Sequence, residues 1–197
     1  MRQIAAGLFV LALSAAALAQ DVTEPRSGVT FAAKNGDMSL LGVGLRTKTF
    51  LKVKVYAIGL YTSEAALAGP LAKAKPGTAA YYKELVSGDF DKQITLKFVR
   101  DLSADQIKGA FREVLEAADL QKTDLFVSYF GELKVGQEAT LRWVSGGTLQ
   151  MTVAGLGKPD IKDPRFAEAI FGIWLGEKPV QEEIKRDLLS RVTTPAK

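Results

Sequence analysis

The stretch TFLKVKVYAIGLYTS, residues 49–63, limits the folds open to this chain more than any other. Polar and apolar residues alternate up to Val55, which is the period of a strand with one wet face. The run then turns continuously apolar, as a strand buried on both sides does. Residues 38–47 (MSLLGVGLRT) are equally β-rich, so Met38 to Thr47 and Thr49 to Tyr61 predict a tight hairpin. Simple alternation puts Tyr56 on one side with Lys52, Lys54, Ile58 and Leu60. Gly42 and Gly44 predict a bulge or a close backbone approach within the first of these strands.

The remaining elements follow from punctuation. Val29 to Ala33 predicts a short strand closed by the turn signal Asn35-Gly36. The segment SEAALAGPLAKAKPG predicts a short helix and a loop, residues 79–88 a short helix stopped by Gly88, and residues 92–99 a strand. Ser103 with Gln106 three residues on is a capping box, and the helix it opens has Ile107, Ala110, Phe111, Val114 and Leu115 on one face. Leu120 to Phe130 reads as a second helix or a bent extension. ATLRWV and TLQMTVAGL flank Ser145-Gly146-Gly147, a hairpin signal. Asp163 before Pro164 is an N-cap with proline at the first helical position, and Pro179 starts a last helix. Strands early, helices in the middle, then a hairpin and terminal helices predict an α+β fold, an antiparallel sheet with helices on one face.

Residues 1–19, MRQIAAGLFVLALSAAALA, have the early cation, apolar run and A-x-A ending of a secretory signal peptide, with cleavage expected after Ala19. That predicts export, to a periplasm, with residues 20–28 as an N-terminal arm, residues 29–193 as one domain and no transmembrane segment after cleavage. The formal charge of +4 falls to +3 without Arg2, and the cations are scattered among acids, which argues against nucleic-acid binding. The chain has no cysteine and no histidine. Disulfides, thiolate chemistry, Ser-His-Asp triads and His-ligated metals are thereby excluded, and any chemistry must use Arg, Lys, Tyr, hydroxyls or carboxylates.

Four pieces, GVGLR (42–46), KVKVYAIGLY (52–61), the helix beginning SADQIKGAF and the block 174–192 (WLGEKPVQEEIKRDLLSRV), occur in an order that resembles the chalcone isomerase-like family. The resemblance implies an open-faced β-sandwich, a curved antiparallel sheet covered by a helical layer, with a ligand cleft between them. It also implies site residues. Arg46 matches the arginine after the glycine-rich turn. Tyr56 stands where the isomerases carry a threonine and where the fatty-acid-binding relatives pair a tyrosine with the arginine on a carboxylate. The isomerases' helical tyrosine and asparagine fall on Gln106 and Glu113, and their pocket hydroxyl on Ile173. Four of these five positions depart from the isomerase pattern.

The resulting expectation is a non-catalytic, cofactor-free binding protein for a fatty acid or similar amphipathic carboxylate, with Arg46 and Tyr56 as ligand-binding residues and no metal. The alternative is a divergent isomerase, an intramolecular lyase closing an enone such as a chalcone, with Arg46 and Tyr56 as its catalytic groups. Trp143, Phe111, Phe126, Phe130 and Trp174 read as core, and Glu113 as a solvated or ion-paired helix carboxylate. The oligomeric state is not legible.

Overall fold

The computed structural model describes residues 20–192, so the export signal read over residues 1–19 lies outside it. β1 (Val22–Thr23) and β2 (Thr30–Phe31) pair with each other in a small hairpin. A seven-stranded antiparallel sheet follows in strict sequence order: β3 (Lys34–Asn35), β4 (Met38–Lys48), β5 (Val53–Ser63), β6 (Lys92–Phe98), β7 (Glu138–Val144), β8 (Thr148–Val153) and β9 (Leu156–Lys162). Each strand pairs antiparallel with the next in sequence, and helices are inserted between β5 and β6 and between β6 and β7, so the sheet is a curled antiparallel meander.

Two-residue periodicity decides which face is covered. On β6 and β7, Ile94, Leu96, Phe98, Ala139, Leu141 and Trp143 point inward and are buried. Thr140, Arg142, Gln150 and Thr152 alternate with the inward residues of β7 and β8 and face out. One face is therefore apolar and the other largely open.

The helices lie on the apolar face: α1 (Glu64–Ala68), α2 (Ala79–Ser87), α3 (Ala104–Val114), α4 (Leu120–Ser128), α5 (Pro164–Leu175) and α6 (Glu182–Asp187). α5 is the central one, with Phe166, Ile170, Phe171 and Trp174 at 2 % exposure or less. A second, smaller cluster of Phe31, Met38, Leu40, Val43, Ala57 and Tyr61 forms where the N-terminal hairpin covers the outer side of β4 and β5. Residues 20–28 are tied down there: Arg26 pairs with Asp187 at 2.7 Å and with Glu24, whose carboxylate is buried.

The hairpin of β4 and β5 differs from simple alternation in one respect that matters for the site. Arg46 pairs with Tyr56 and Thr47 with Lys54, so Val55 is an extra residue on β5. Such a bulge shifts the alternation by one. Val53, Val55 and Tyr56 consequently face the same interior space, whereas exposed Lys54 donates to the Arg26 carbonyl and Lys52 belongs to the turn Thr49–Lys52. The expectation that Lys52 and Lys54 accompany Tyr56 is corrected by this bulge. A second bulge at Leu41 lies beside Gly42, and the Gly42 backbone touches the end of α6. Both devices foreseen for the glycines occur together.

Among the described residues Lys92 is the one cation buried in the fold. The β6 alternation turns it inward, where it has no exposed surface. Its ammonium donates to the carbonyls of Val86 (3.2 Å) and Gly88 (2.8 Å) at the end of α2, and lies 4.0 Å from the Trp143 ring centre. Helix C-terminal carbonyls and aromatic faces both favour a cation. Burial nevertheless pushes its pKa down from 10.5 to about 7, against the opposing pull of Glu84, Asp89 and Glu168. Between those two values the unfolded chain binds a proton that the folded chain does not, so this group makes stability rise with pH through that window and leaves it flat below about 7. Lys92→Met is expected to abolish that slope, a difference of about 1.4 kcal/mol per pH unit between pH ~8 and ~9.5 in denaturant melts. Parallel stability–pH curves for the two proteins would refute it.

Candidate functional site

Between the sheet's inner face and the helices α3 and α5 lies a cavity of about 460 Å³. Its size falls within the roughly 300–1,000 Å³ of small-molecule sites. The sheet contributes Val53, Val55, Tyr56, Leu96 and Phe98, and α3 contributes Ile107, Phe111 and Val114. Ile173, Trp174 and Val180 close the side toward α6. The wall is mostly apolar, and its charged members are Arg46, Lys48, Arg100 and Glu113. Cations outnumber the single carboxylate, so the site favours an anion.

Arg46 and Tyr56 are direct cross-strand partners, and both line this cavity. The bulge at Val55 sits immediately beyond the pair and sets the angle of Tyr56. Trp174, fully buried near the end of α5, donates its indole N–H to the Tyr56 hydroxyl at 2.9 Å. A buried indole needs such a partner. The hydroxyl thereby accepts from Trp174 and keeps its own O–H to donate. Burial raises the phenol's pKa above its ordinary 10.0, only partly offset by the Trp174 hydrogen bond and the Arg46 charge, so Tyr56 is a neutral donor.

Arg46 is held by one nitrogen. Its Nη1 donates to the Thr47 carbonyl (2.8 Å) and to Gln181 Oε1 (3.3 Å). Its Nη2 and Nε make no hydrogen bond, and it joins no ion pair, among the described residues. Gln181 occupies the N-cap position of α6 but its side chain does not cap the helix. It turns to β4 instead, accepting from the Thr47 N–H at 3.1 Å, with Glu183 Oε2 taking a hydrogen bond from its Nε2. The guanidinium is pre-aimed with three N–H donors unspent, which is the geometry that grips a carboxylate in two-point fashion.

The five positions drawn from the resemblance, Arg46, Tyr56, Gln106, Glu113 and Ile173, all line this one cavity. Gln106 is partly occupied, since its Oε1 accepts from the Ser103 N–H in the capping box. Glu113 is exposed and makes no ion pair among the described residues. Sequence reasoning missed Gln181 and the second role of Trp174. The core assignment of Trp174 and Phe111 holds by burial, yet both also form cavity wall. Among the described residues no cluster of three or more carboxylates stands ready for a metal ion.

A family model described as chalcone isomerase-like matches residues 19–190. The chain belongs to the chalcone isomerase-like family. It is 30% identical over 178 residues to chalcone isomerase-like protein 1 of Humulus lupulus, covering 78% of this chain and 82% of that one. It is 24% identical over 199 residues to fatty-acid-binding protein 2 of Arabidopsis thaliana, covering 86% of this chain but only 50% of that protein. In fold it is similar to the crystal structure of a fatty-acid binding protein of Arabidopsis thaliana, with a TM-score of 0.75, 22% identity, and coverage of 86% of this chain and 96% of that one. The open-faced α+β architecture expected from the sequence is thus the family's own.

Trp174 carries a testable role in this chain. Trp174→Phe removes the only N–H that the Tyr56 oxygen accepts among the described residues. The phenol then loses the polarisation that chained hydrogen bonds confer. If the cavity holds a long-chain carboxylate at this pair, the expected outcome is a roughly fivefold loss of affinity for it, with affinity for its uncharged methyl ester unchanged. Equal losses for acid and ester would reduce Trp174 to packing alone.

Proposed function

We propose that this protein is a non-catalytic carrier that holds a fatty acid, or a similar amphipathic carboxylate, in the cavity between sheet and helices. The observation that carries the proposal is the Arg46–Tyr56 pair, adjacent in register on one wall of an apolar cavity and retaining unspent donors of both kinds. In this reading the Arg46 Nη2 and Nε and the Tyr56 hydroxyl donate to the carboxylate. A charge-assisted contact of this kind is worth about 1.5–3 kcal/mol. Each methylene laid against Phe98, Ile107 or Phe111 adds about 0.8 kcal/mol. No cofactor takes part.

The similarity to two Arabidopsis proteins named as fatty-acid-binding proteins supports a fatty-acid cargo. The test is displacement of a fluorescent fatty acid by palmitate. Competitive displacement at one site per chain is the expected result, and no binding at all would remove the carrier reading. Residues 1–19 carry the proposal of export, and N-terminal sequencing of the protein from its own cells is expected to begin at Gln20.

A further inference from the structure

The turn joining β4 and β5 presents two large apolar side chains to water. Phe50 is 91% and Leu51 70% exposed, at the central positions of the turn closed by the Lys52 N–H on the Thr49 carbonyl (3.1 Å). Central turn positions ordinarily carry Gly, Pro, Asn or Asp. Here the flanking residues also adopt the left-handed region without being glycine, Thr49 at φ 67° and Lys52 at φ 51°. For a β-branched threonine that is a strained conformation, and strain of this kind gathers at functional sites. The segment RTKTFLKVK, residues 46–54, has four cations and no carboxylate. An apolar tip with basic shoulders is the chemistry that partitions to an anionic bilayer surface.

The position of the turn adds the second observation. Lys48 and Thr49 belong to the cavity wall, as do Arg100 and the partly exposed Val114. The apolar tip therefore stands at the mouth of the cavity. No described helix is long and apolar enough to cross a membrane.

We propose that the β4–β5 turn docks this protein on anionic lipid bilayers, with Phe50 and Leu51 in the headgroup–acyl boundary and Lys48 and Lys52 on lipid phosphates. The cavity mouth then opens onto the bilayer, so that an acyl chain enters or leaves without crossing water. That last step rests on the fatty-acid reading; the docking does not.

The absence of cysteine permits a single reporter. Leu51→Cys carrying an environment-sensitive fluorophore is mixed with vesicles of phosphatidylcholine and phosphatidylglycerol in a 70:30 ratio. A label at Leu120→Cys, exposed at the start of α4 beside the Lys122–Asp163 ion pair, is the control. The expected result is a blue shift at position 51, quenched by nitroxide placed shallowly in the acyl region and absent on pure phosphatidylcholine, with no change at position 120. Adding Lys48→Gln and Lys52→Gln is expected to lower partitioning about 25-fold, at about fivefold per lysine, and raised salt lowers it further. A label that stays in water on the anionic vesicles overturns the docking. So does a blue shift that needs no lipid and grows with protein concentration, which assigns the tip to a second copy of the chain. Fatty-acid binding is measured separately without vesicles: docking without it upholds the surface and overturns the cargo, and binding without docking does the reverse.

Discussion

Arg46→Ala is expected to weaken binding of a long-chain fatty acid by about 10- to 150-fold while the protein still melts cooperatively. The range is the worth of a charge-assisted hydrogen bond, about 1.5–3 kcal/mol, expressed as a ratio of dissociation constants. The fold should survive because the side chain's structural commitments are few. Only Nη1 is engaged, by the Thr47 carbonyl and Gln181, and the residue is half-buried rather than part of the core. Gln181 keeps its hydrogen bonds to the Thr47 N–H and to Glu183 when the guanidinium is gone. Titration with a fluorescent fatty acid alongside a thermal melt separates the two effects. Unchanged affinity would remove Arg46 from the binding site, and collapse of the melt would show a structural role instead.

The largest effect on stability is expected at Gly42. A Cβ there would lie 2.3 Å from the Asp187 carbonyl oxygen and 2.6 Å from the Leu188 carbonyl carbon. Both are backbone atoms, so no rotamer change relieves the clash. α6 is fastened at this point by the Arg191 N–H on the Leu41 carbonyl at 2.8 Å and by the Arg26–Asp187 ion pair. Gly42→Ala must therefore either lift α6 or bend β4, at a cost of about 3 kcal/mol or more. Gly44→Ala, two residues on, is the matched comparison. Its Cβ would meet Asp187 and Ile184 at 3.4 and 3.5 Å, ordinary contact distances, so the expected loss there is about 1 kcal/mol or less. Because Gln181 sits at the head of α6 and holds Arg46, Gly42→Ala should also weaken ligand binding. Equal denaturant midpoints for the two variants would contradict the packing described.

These two positions also show where the sequence is readable. Glycine at 42 and 44 means that something approaches the strand, and the identity of the visitor, α6, comes only from the tertiary fold. The Ser103–Gln106 capping box and the Asp163 cap are legible because their hydrogen bonds are local. β9 is not, since LGKPDIK combines Gly157, Pro159 and Asp160 in the composition of a loop. It forms because Val153 and Leu156 pair across a tight turn in which Ala154 and Gly155 both have positive φ, and because an edge strand tolerates proline. α6 starts at Glu182 rather than at Pro179, as residues 179–181 are used to carry Gln181 to β4.

The site is legible in its residues and not in its neighbours. Arg46 and Tyr56 share a wall, but strict alternation surrounds Tyr56 with lysines, and one extra residue at Val55 replaces them with valines. A bulge leaves no mark in composition, so the polarity of that wall does not follow from spacing. The buried Trp174 does leave a signal: an indole N–H inside a core requires an acceptor, and the lone phenol on the wall of the same cleft is Tyr56. Matching those two groups by their hydrogen-bonding needs sets the end of α5 against β5.

The most direct measurement compares palmitate with its methyl ester on the wild-type protein and on Arg46→Ala, by displacement of one fluorescent fatty acid. Wild type should prefer the acid by about tenfold or more, with the preference disappearing in the variant as the two ligands converge on the affinity of the acyl chain alone. Equal affinity of acid and ester for the wild-type protein would mean that the guanidinium and phenol do not hold the head group.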